Sequence, residues 1–199
     1  MAEALTYDSL VSDIATYVER NDEPFVAQVP RFIMLAENRL ASEVRGLGYK
    51  RVVSFTLNQG TAVVPKPVRW RETVTFSVAG DYLYNRSYDF CRSYWPALAT
   101  TGDPMYYADY DYEHFLVVAP PAVDSPSEIV YFERPEPLST VNQTNWTTQY
   151  APQLLLYASL LEAQPFLKTS ERMTEFNELY GRAIQAIQSE ELRRKSLKE

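Results

Sequence analysis

Lys50-Arg51-Val52-Val53-Ser54-Phe55-Thr56-Leu57, followed by Asn58-Gln59-Gly60, is where the chain changes its period. Val53, Phe55 and Leu57 alternate with Val52, Ser54 and Thr56, so one face of an extended strand is more apolar than the other. Before this stretch the apolar residues recur at helical spacing; after it, period two governs the chain as far as Arg134. A third block returns to helical spacing. The order α, then β, then α makes the fold class α+β.

Working back from Lys50, residues 1–49 read as a helical hairpin. Thr6 is placed to cap a first helix whose stripe is Leu10, Val11, Ile14, Tyr17 and Val18, with Asp13, Thr16 and Glu19 between them. Asn21-Asp22-Glu23-Pro24 breaks it and offers Asp22 as the next cap. Pro30 suits the start of a longer helix with the stripe Phe32, Ile33, Ala36, Leu40 and Val44. Glu37, Arg39 and Glu43 are expected to face away from it, and Gly46 and Gly48 to stop it.

Working forward, Thr61 to Val64 is expected to return after the Asn58-Gln59-Gly60 turn, while Pro65 and Pro67 forbid a central strand there. Arg71 to Val78, then Tyr82 to Asn85 after Ala79-Gly80-Asp81, give two more strands. Ser87 caps a short helix, Tyr88 to Tyr94, stopped by Pro96. Met105 to Tyr110 and Phe115 to Ala119 form a hairpin, and Glu128 to Arg134 is a strand between Pro126 and Pro135. About seven short strands at this spacing fit an antiparallel sandwich or small barrel-like domain over 50–138.

Residues 139–199 carry the remaining helices. Thr148 is the expected cap, Pro152 lies in the first turn, and Leu154 to Leu161 is apolar on several faces, as in a helix buried between neighbours. Pro165 ends or kinks it. Thr169 or Ser170 caps a last helix with the stripe Met173, Phe176, Leu179, Tyr180, Ala183, Ile184 and Ile187. The polar run from Arg193 to Lys198 frays. The simplest architecture packs these helices on the N-terminal pair, giving one helical bundle with a β domain inserted in it.

Composition narrows the function. The chain has 199 residues, 46% hydrophobic and 23% charged, and a net charge of −7. That is ordinary for a packed domain and excludes a general nucleic-acid binder, which is basic. One His and one Cys, His114 and Cys91, provide neither the usual zinc ligand set nor a disulfide framework. No phosphate-cradling Gly-rich loop, G-x-S-x-G or H-E-x-x-H occurs. His114 lies among Asp109, Asp111 and Glu113, but the loop lacks the spacing and Gly of a calcium site, so a solvated hairpin tip is the simpler reading. No signal-peptide pattern opens the sequence, and no apolar run approaches the roughly 20 residues of a membrane span. The expectation is a non-enzymatic protein with no catalytic residues, no metal ligands and no cofactor.

The charge is unevenly placed. Residues 80–136 hold ten acids against three bases, while 45–71 holds Arg45, Lys50, Arg51, Lys66, Arg69 and Arg71 and no acid. These are two solvated faces, or surfaces that meet between copies in a heterologous, ring-forming contact. Tyr is also abundant, 15 against 9 Phe and 3 Trp. Tyr82, Tyr84, Tyr88, Tyr94, Trp95, Tyr106, Tyr107, Tyr110 and Tyr112 are many for one sandwich core and suit interface anchors.

Several pieces in order carry a resemblance: Leu5-Thr6-Tyr7-Asp8-Ser9-Leu10-Val11, Pro30-Arg31-Phe32-Ile33-Met34-Leu35-Ala36-Glu37, Tyr94-Trp95-Pro96 with Thr101-Gly102-Asp103-Pro104 and Tyr106-Tyr107-Ala108, Tyr131-Phe132-Glu133-Arg134-Pro135, Asn145-Trp146, and Ala151-Pro152-Gln153-Leu154-Leu155-Leu156-Tyr157-Ala158 with Ala163-Gln164-Pro165-Phe166-Leu167. Across nearly the whole chain they resemble the head-to-tail adaptor (connector) proteins of short-tailed bacteriophages. The resemblance implies a structural virion protein without a reaction. It implies a dodecameric ring at the capsid–tail junction, assembled in the host cytoplasm, joining portal protein to tail nozzle protein. The genome passes through its lumen without specific binding, and no membrane is involved. The basic tail, Arg193, Arg194 and Lys195, is then expected at the portal. Arg51, Lys66, Arg69, Arg71, Asp109, Tyr110, Asp111 and Tyr112 are expected at the nozzle or between subunits. A neck or head-completion protein of a long-tailed phage, or a carbohydrate-binding β module, are the alternatives.

Overall fold

The computed structural model describes residues 5–167 and 172–196, apart from the side chains of Leu47 and Lys195. The chain divides into two compact units, residues 1–49 with 134–199, and residues 50–133.

The first unit is helical: α1 (Tyr7–Val18), α2 (Glu23–Val26), α3 (Val29–Glu43), a 3-10 turn (Leu47–Tyr49), then α5 (Trp146–Tyr150), α6 (Pro152–Leu167) and α7 (Met173–Ser196). Thr6 caps α1 through a reciprocal box with Ser9. The expected stripe of α3 is buried, but so is Glu37, which was expected to face away. Its carboxylate accepts from the Leu138 N–H at 3.1 Å and from Asn145 Nδ2 at 2.8 Å, and so ties the segment after residue 134 to α3. Asp22 precedes α2 but makes no side-chain cap; it is held by Arg20 at 2.7 Å. Asn145, not Thr148, caps α5, and Thr148 at the third helical position completes the box. The chain bends at Ala151 before α6 begins. α6 is the apolar centre of the unit and continues through Pro165. Gly48 is required by close approach: a Cβ there would lie 2.1 Å from the Trp146 ring. The expected caps Thr169 and Ser170 lie outside the described residues. Arg193 and Arg194 are helical, not frayed.

The second unit holds two four-stranded sheets and no closed barrel. β1 (Lys50–Leu57), β8 (Ser125–Glu133), β3 (Trp70–Val78) and β4 (Asp81–Tyr82) form one sheet in the order β1-β8-β3-β4; β2 (Val63–Pro65), β7 (His114–Val118), β6 (Tyr106–Asp109) and β5 (Tyr84–Asn85) form the other in the order β2-β7-β6-β5. β1 and β2 do not pair with each other, as the turn between them suggested; they lie in different sheets. The expected strand Tyr82 to Asn85 is likewise split, with buried Leu83 at the crossing, and β5 runs parallel to β6. Between the sheets lie Leu57, Val64, Phe76, Val78, Leu83, Tyr107, Phe115, Val117, Ile129 and Tyr131. α4 (Tyr88–Tyr94), capped by Ser87, packs Cys91 against Ala108, Leu116 and Val118 on the outer face of the second sheet.

Candidate functional site

The expected contact residues divide into those used inside the fold and those left on its surface. Lys66 is inside. Its Nζ lies 2.7 Å from Asp109 Oδ1, donates to the Asp111 carbonyl at 2.9 Å, and sits 4.0 Å from the Trp70 ring centroid; its side chain is only 4% exposed. The ring faces attract the ammonium, and the carboxylate compensates its lost hydration. Asp109 therefore already has a partner in its own chain. Asp111 shapes the hairpin tip: its Oδ1 accepts from the Glu113 and His114 N–H groups, each at 2.7 Å, and lies 2.9 Å from His114 Nδ1. Desolvation opposes its ionisation, but the bonds from His114 and the two N–H groups outweigh it and hold its carboxyl below the usual range. His114 thus opens β7 beside the hairpin tip, and no group of His, Cys, Asp and Glu suited to a metal exists among the described residues.

Arg51 at the start of β1 reaches Glu133 at 2.8 Å. Arg71 lies 3.9 Å from Glu72 and 5.7 Å from the Phe132 ring centroid. Arg69 occupies an exposed turn with φ of 57°. Two of the basic groups thus meet acids of the 80–136 block within one chain. On α7, Arg193 is exposed, Arg194 bonds Glu190 and Glu191 of the same helix, and the side chain of Lys195 lies outside the described residues.

The aromatic block is mostly on the surface. Tyr82, Tyr84 and Tyr112 are 69%, 60% and 74% exposed, and Tyr88, Tyr94 and Tyr110 are also exposed. Only Tyr107 of the nine is buried; its hydroxyl bonds Asn85 and Thr73, and burial pushes its pKa up. Phe90 and Tyr94, on one side of α4, meet Tyr106 edge-on at 5.1 and 4.8 Å. Tyr84 lies 6.3 Å from Tyr106, and the Arg86 guanidinium lies over Phe90 and Tyr106 at 5.9 and 5.8 Å. Rings locked edge to face with one hydroxyl side in water form a preorganised, amphipathic contact surface. Period-two patterning could not reveal it, because the rings are gathered by a helix, a sheet crossing and a strand.

Beside this surface the two sheets part. An open cleft of about 540 Å³ is lined by residues 70–76 of β3, by Tyr82 to Asn85, and by Tyr107, Asp109 and Phe115. It carries hydroxyls and rings but no catalytic pairing of acid, base and nucleophile of the kind a reaction needs. No helix among the described residues is long and apolar enough to cross a membrane.

No curated protein matches the sequence significantly. A family model does: that of the SU10 adaptor protein matches residues 5–197, which spans both units. The displayed aromatic surface agrees with an adaptor's work, and the chain belongs to the SU10 adaptor protein family, a family of phage head-to-tail adaptors.

Proposed function

We propose that the protein is a structural component of the virion that assembles as a ring between the portal and the tail nozzle of a short-tailed phage, with the genome passing through the ring. The single observation that carries this reading is the family match over both units, residues 5–197. The exposed rings of Tyr84, Phe90 and Tyr94, gathered on half-buried Tyr106, support it, since rigid aromatics are the usual anchors of protein interfaces. The surplus of acids in residues 80–136 supports it too: an acidic lining repels DNA phosphates and lets the genome slide. α7 reaches about 36 Å, and beyond Tyr180 it keeps Ala183, Ile184, Ile187 and Glu191 half-buried while Arg182, Gln185, Gln188, Leu192, Arg193 and Arg194 are exposed. The exposed side of that half, ending in Arg193 and Arg194, is the surface assigned to the portal.

Co-expression with the portal protein of the same phage tests the reading. A co-eluting complex that shows a ring of this chain on the portal by electron microscopy is the expected result. Two species that stay separate at every ratio overturn it. Adaptors need not form rings alone, so the portal must be present.

A further inference from the structure

The first sheet of the β unit ends in two strand edges of different kinds. In an antiparallel strand the N–H and C=O of one residue point the same way, and the direction alternates along the chain. The Ala79 N–H donates to the Pro126 carbonyl at 2.7 Å, so Pro126, Glu128 and Val130 turn toward β3. Ser125, Ser127, Ile129 and Tyr131 therefore turn toward β1, where they face Leu57, Phe55, Val53 and Arg51. The remaining residues of β1, Lys50, Val52, Ser54 and Thr56, turn their N–H and C=O groups outward. No strand lies beside them among the described residues.

β1 lacks the usual protections of an edge. Proteins guard edge strands by shortness, proline, bulges or charge. β2 is three residues long and ends in Pro65, and β5 is two residues long. β1 is eight residues long, in unbroken register with β8, and carries no proline. Its only ionisable residues, Lys50 and Arg51, stand at one end, and Val52 is 58% exposed. An open ladder of this length is a template for another strand.

At the far side of the same sheet, β4 covers only the end of β3. It pairs with Ser77 and Val78, and the Leu83 N–H donates to the Phe76 carbonyl. The chain then crosses to the other sheet, and from Trp70 to Thr75 no strand covers β3 among the described residues. This uncovered length opens onto the cleft described above, which carries Glu72 and Asp109 against Arg71.

We infer that β1 of one copy docks beside the uncovered edge of β3 in a second copy, extending the sheet from subunit to subunit. The two edges lie at opposite margins of one sheet, so they cannot satisfy each other within a chain. A contact between two different surfaces is heterologous, and one whose repeated rotation closes builds a ring, as the proposed function requires. The inference rests on the ring proposed above and names its contact. Main-chain bonds give such a joint its strength.

The test uses the full chain assembled on its portal. Cysteine is placed at Val52, Ser54 or Thr56 together with Val74→Cys, which covers the possible registers. The native Cys91 is fully buried and leaves a clean background. A short bis-maleimide should then join copies into a ladder of covalent oligomers in at least one of V52C/V74C, S54C/V74C and T56C/V74C. Ring formation is read separately by electron microscopy. Rings without any ladder overturn the inference and leave the ring standing. Covalent dimers from Ser54→Cys alone, without a ladder in the double variants, show a symmetric β1–β1 contact and also overturn it. Absence of rings removes the proposed function and this inference with it. As an independent check, Ser54→Pro removes an outward N–H and spares the bonds to β8. It should keep the melting temperature of the free protein and weaken each contact about fivefold or more. Normal ring yield from a folded Ser54→Pro variant contradicts the inference.

Discussion

Glu37 in the helical unit and Lys66 in the β unit are both shut away from water, and the two units treat them in opposite ways. Lys66 is caged by the rings of Trp70 and Phe115 and paired with Asp109. Glu37 receives N–H donors from Leu138 and Asn145, and burial pushes its pKa up to about 7 although those donors pull it down. The contrast teaches what each charge is for. Lys66 holds the hairpin tip to β2 through its ion pair with Asp109 and its bond to the Asp111 carbonyl. Glu37 is an acceptor, and its charge adds nothing that a neutral oxygen would lack.

Reversing the better-paired charge should have the largest effect. Lys66→Glu brings a carboxylate beside Asp109 and under two ring faces, a loss on the order of 4 kcal/mol or more, read as a collapse of the urea midpoint. Lys66→Met keeps the apolar stem and should stay within about 1–2 kcal/mol of the parent. If Lys66→Glu unfolds like the parent, the cage is not what orders the tip. Lys66 is therefore a poor choice for testing contacts between copies by charge reversal, whatever else the basic segment does.

At Glu37 the sign is reversed. Its folded pKa lies above the unfolded value of 4.5, so between those values the native state keeps a proton that the unfolded chain has released. Stability contributed by this group is greatest below pH 4.5 and falls as pH rises through 7, by about 3 kcal/mol in all. Glu37→Gln keeps the accepting oxygen without the charge. It should match the parent near pH 4.5, exceed it by about 2–3 kcal/mol at pH 8.5, and flatten the slope of melting temperature against pH between them. An unchanged slope would show that Glu37 does not titrate there.

Asn145 comes next, because one side chain serves both the helix and Glu37. Its Oδ1 accepts from the Thr147 and Thr148 N–H groups at 3.0 and 3.2 Å, and its Nδ2 donates to Glu37. Asn145→Ala should cost about 2 kcal/mol through the lost cap and the unfilled acceptor. Combined with Glu37→Gln the losses should not add, since the two residues share a bond; simple additivity would separate the cap from the clamp.

The limits of the sequence lie along the same line. Thr6, the α3 stripe, the cap Ser87 and the hairpin from Tyr106 to Val118 are local features, and their residues reveal them. Partnerships between distant segments do not show in this way. Alternation tells which face of β1 is inward but not that its neighbour is β8, which lies beyond six intervening strands. The turn at Gly60 was compatible with a hairpin, yet Val64 belongs to the opposite sheet. A polar residue on the flank of a stripe reads as exposed, so the sequence pattern puts Glu37 in solvent. Its burial depends on Leu138 and Asn145, which only the return of the chain brings near. The aromatic block was countable from the start, but whether its rings were core or surface depended on the sheet crossing at Leu83.

That block provides the smallest expected effect and the most useful one. Tyr112→Ser and Tyr82→Ser remove rings that stand mostly in water, so each should change the stability of the free chain by no more than about 0.5 kcal/mol. Tyr107→Ser, which empties the space beside Phe76 and Phe115 and loses the bonds to Asn85 and Thr73, should lose about 3 kcal/mol or more. Equal melting temperatures for the surface variants, beside reduced recovery of rings on the portal, would place the exposed rings at contacts between proteins. A fall in melting temperature like that of Tyr107→Ser would return them to the fold, and the displayed surface would then be a by-product of packing rather than a site of assembly.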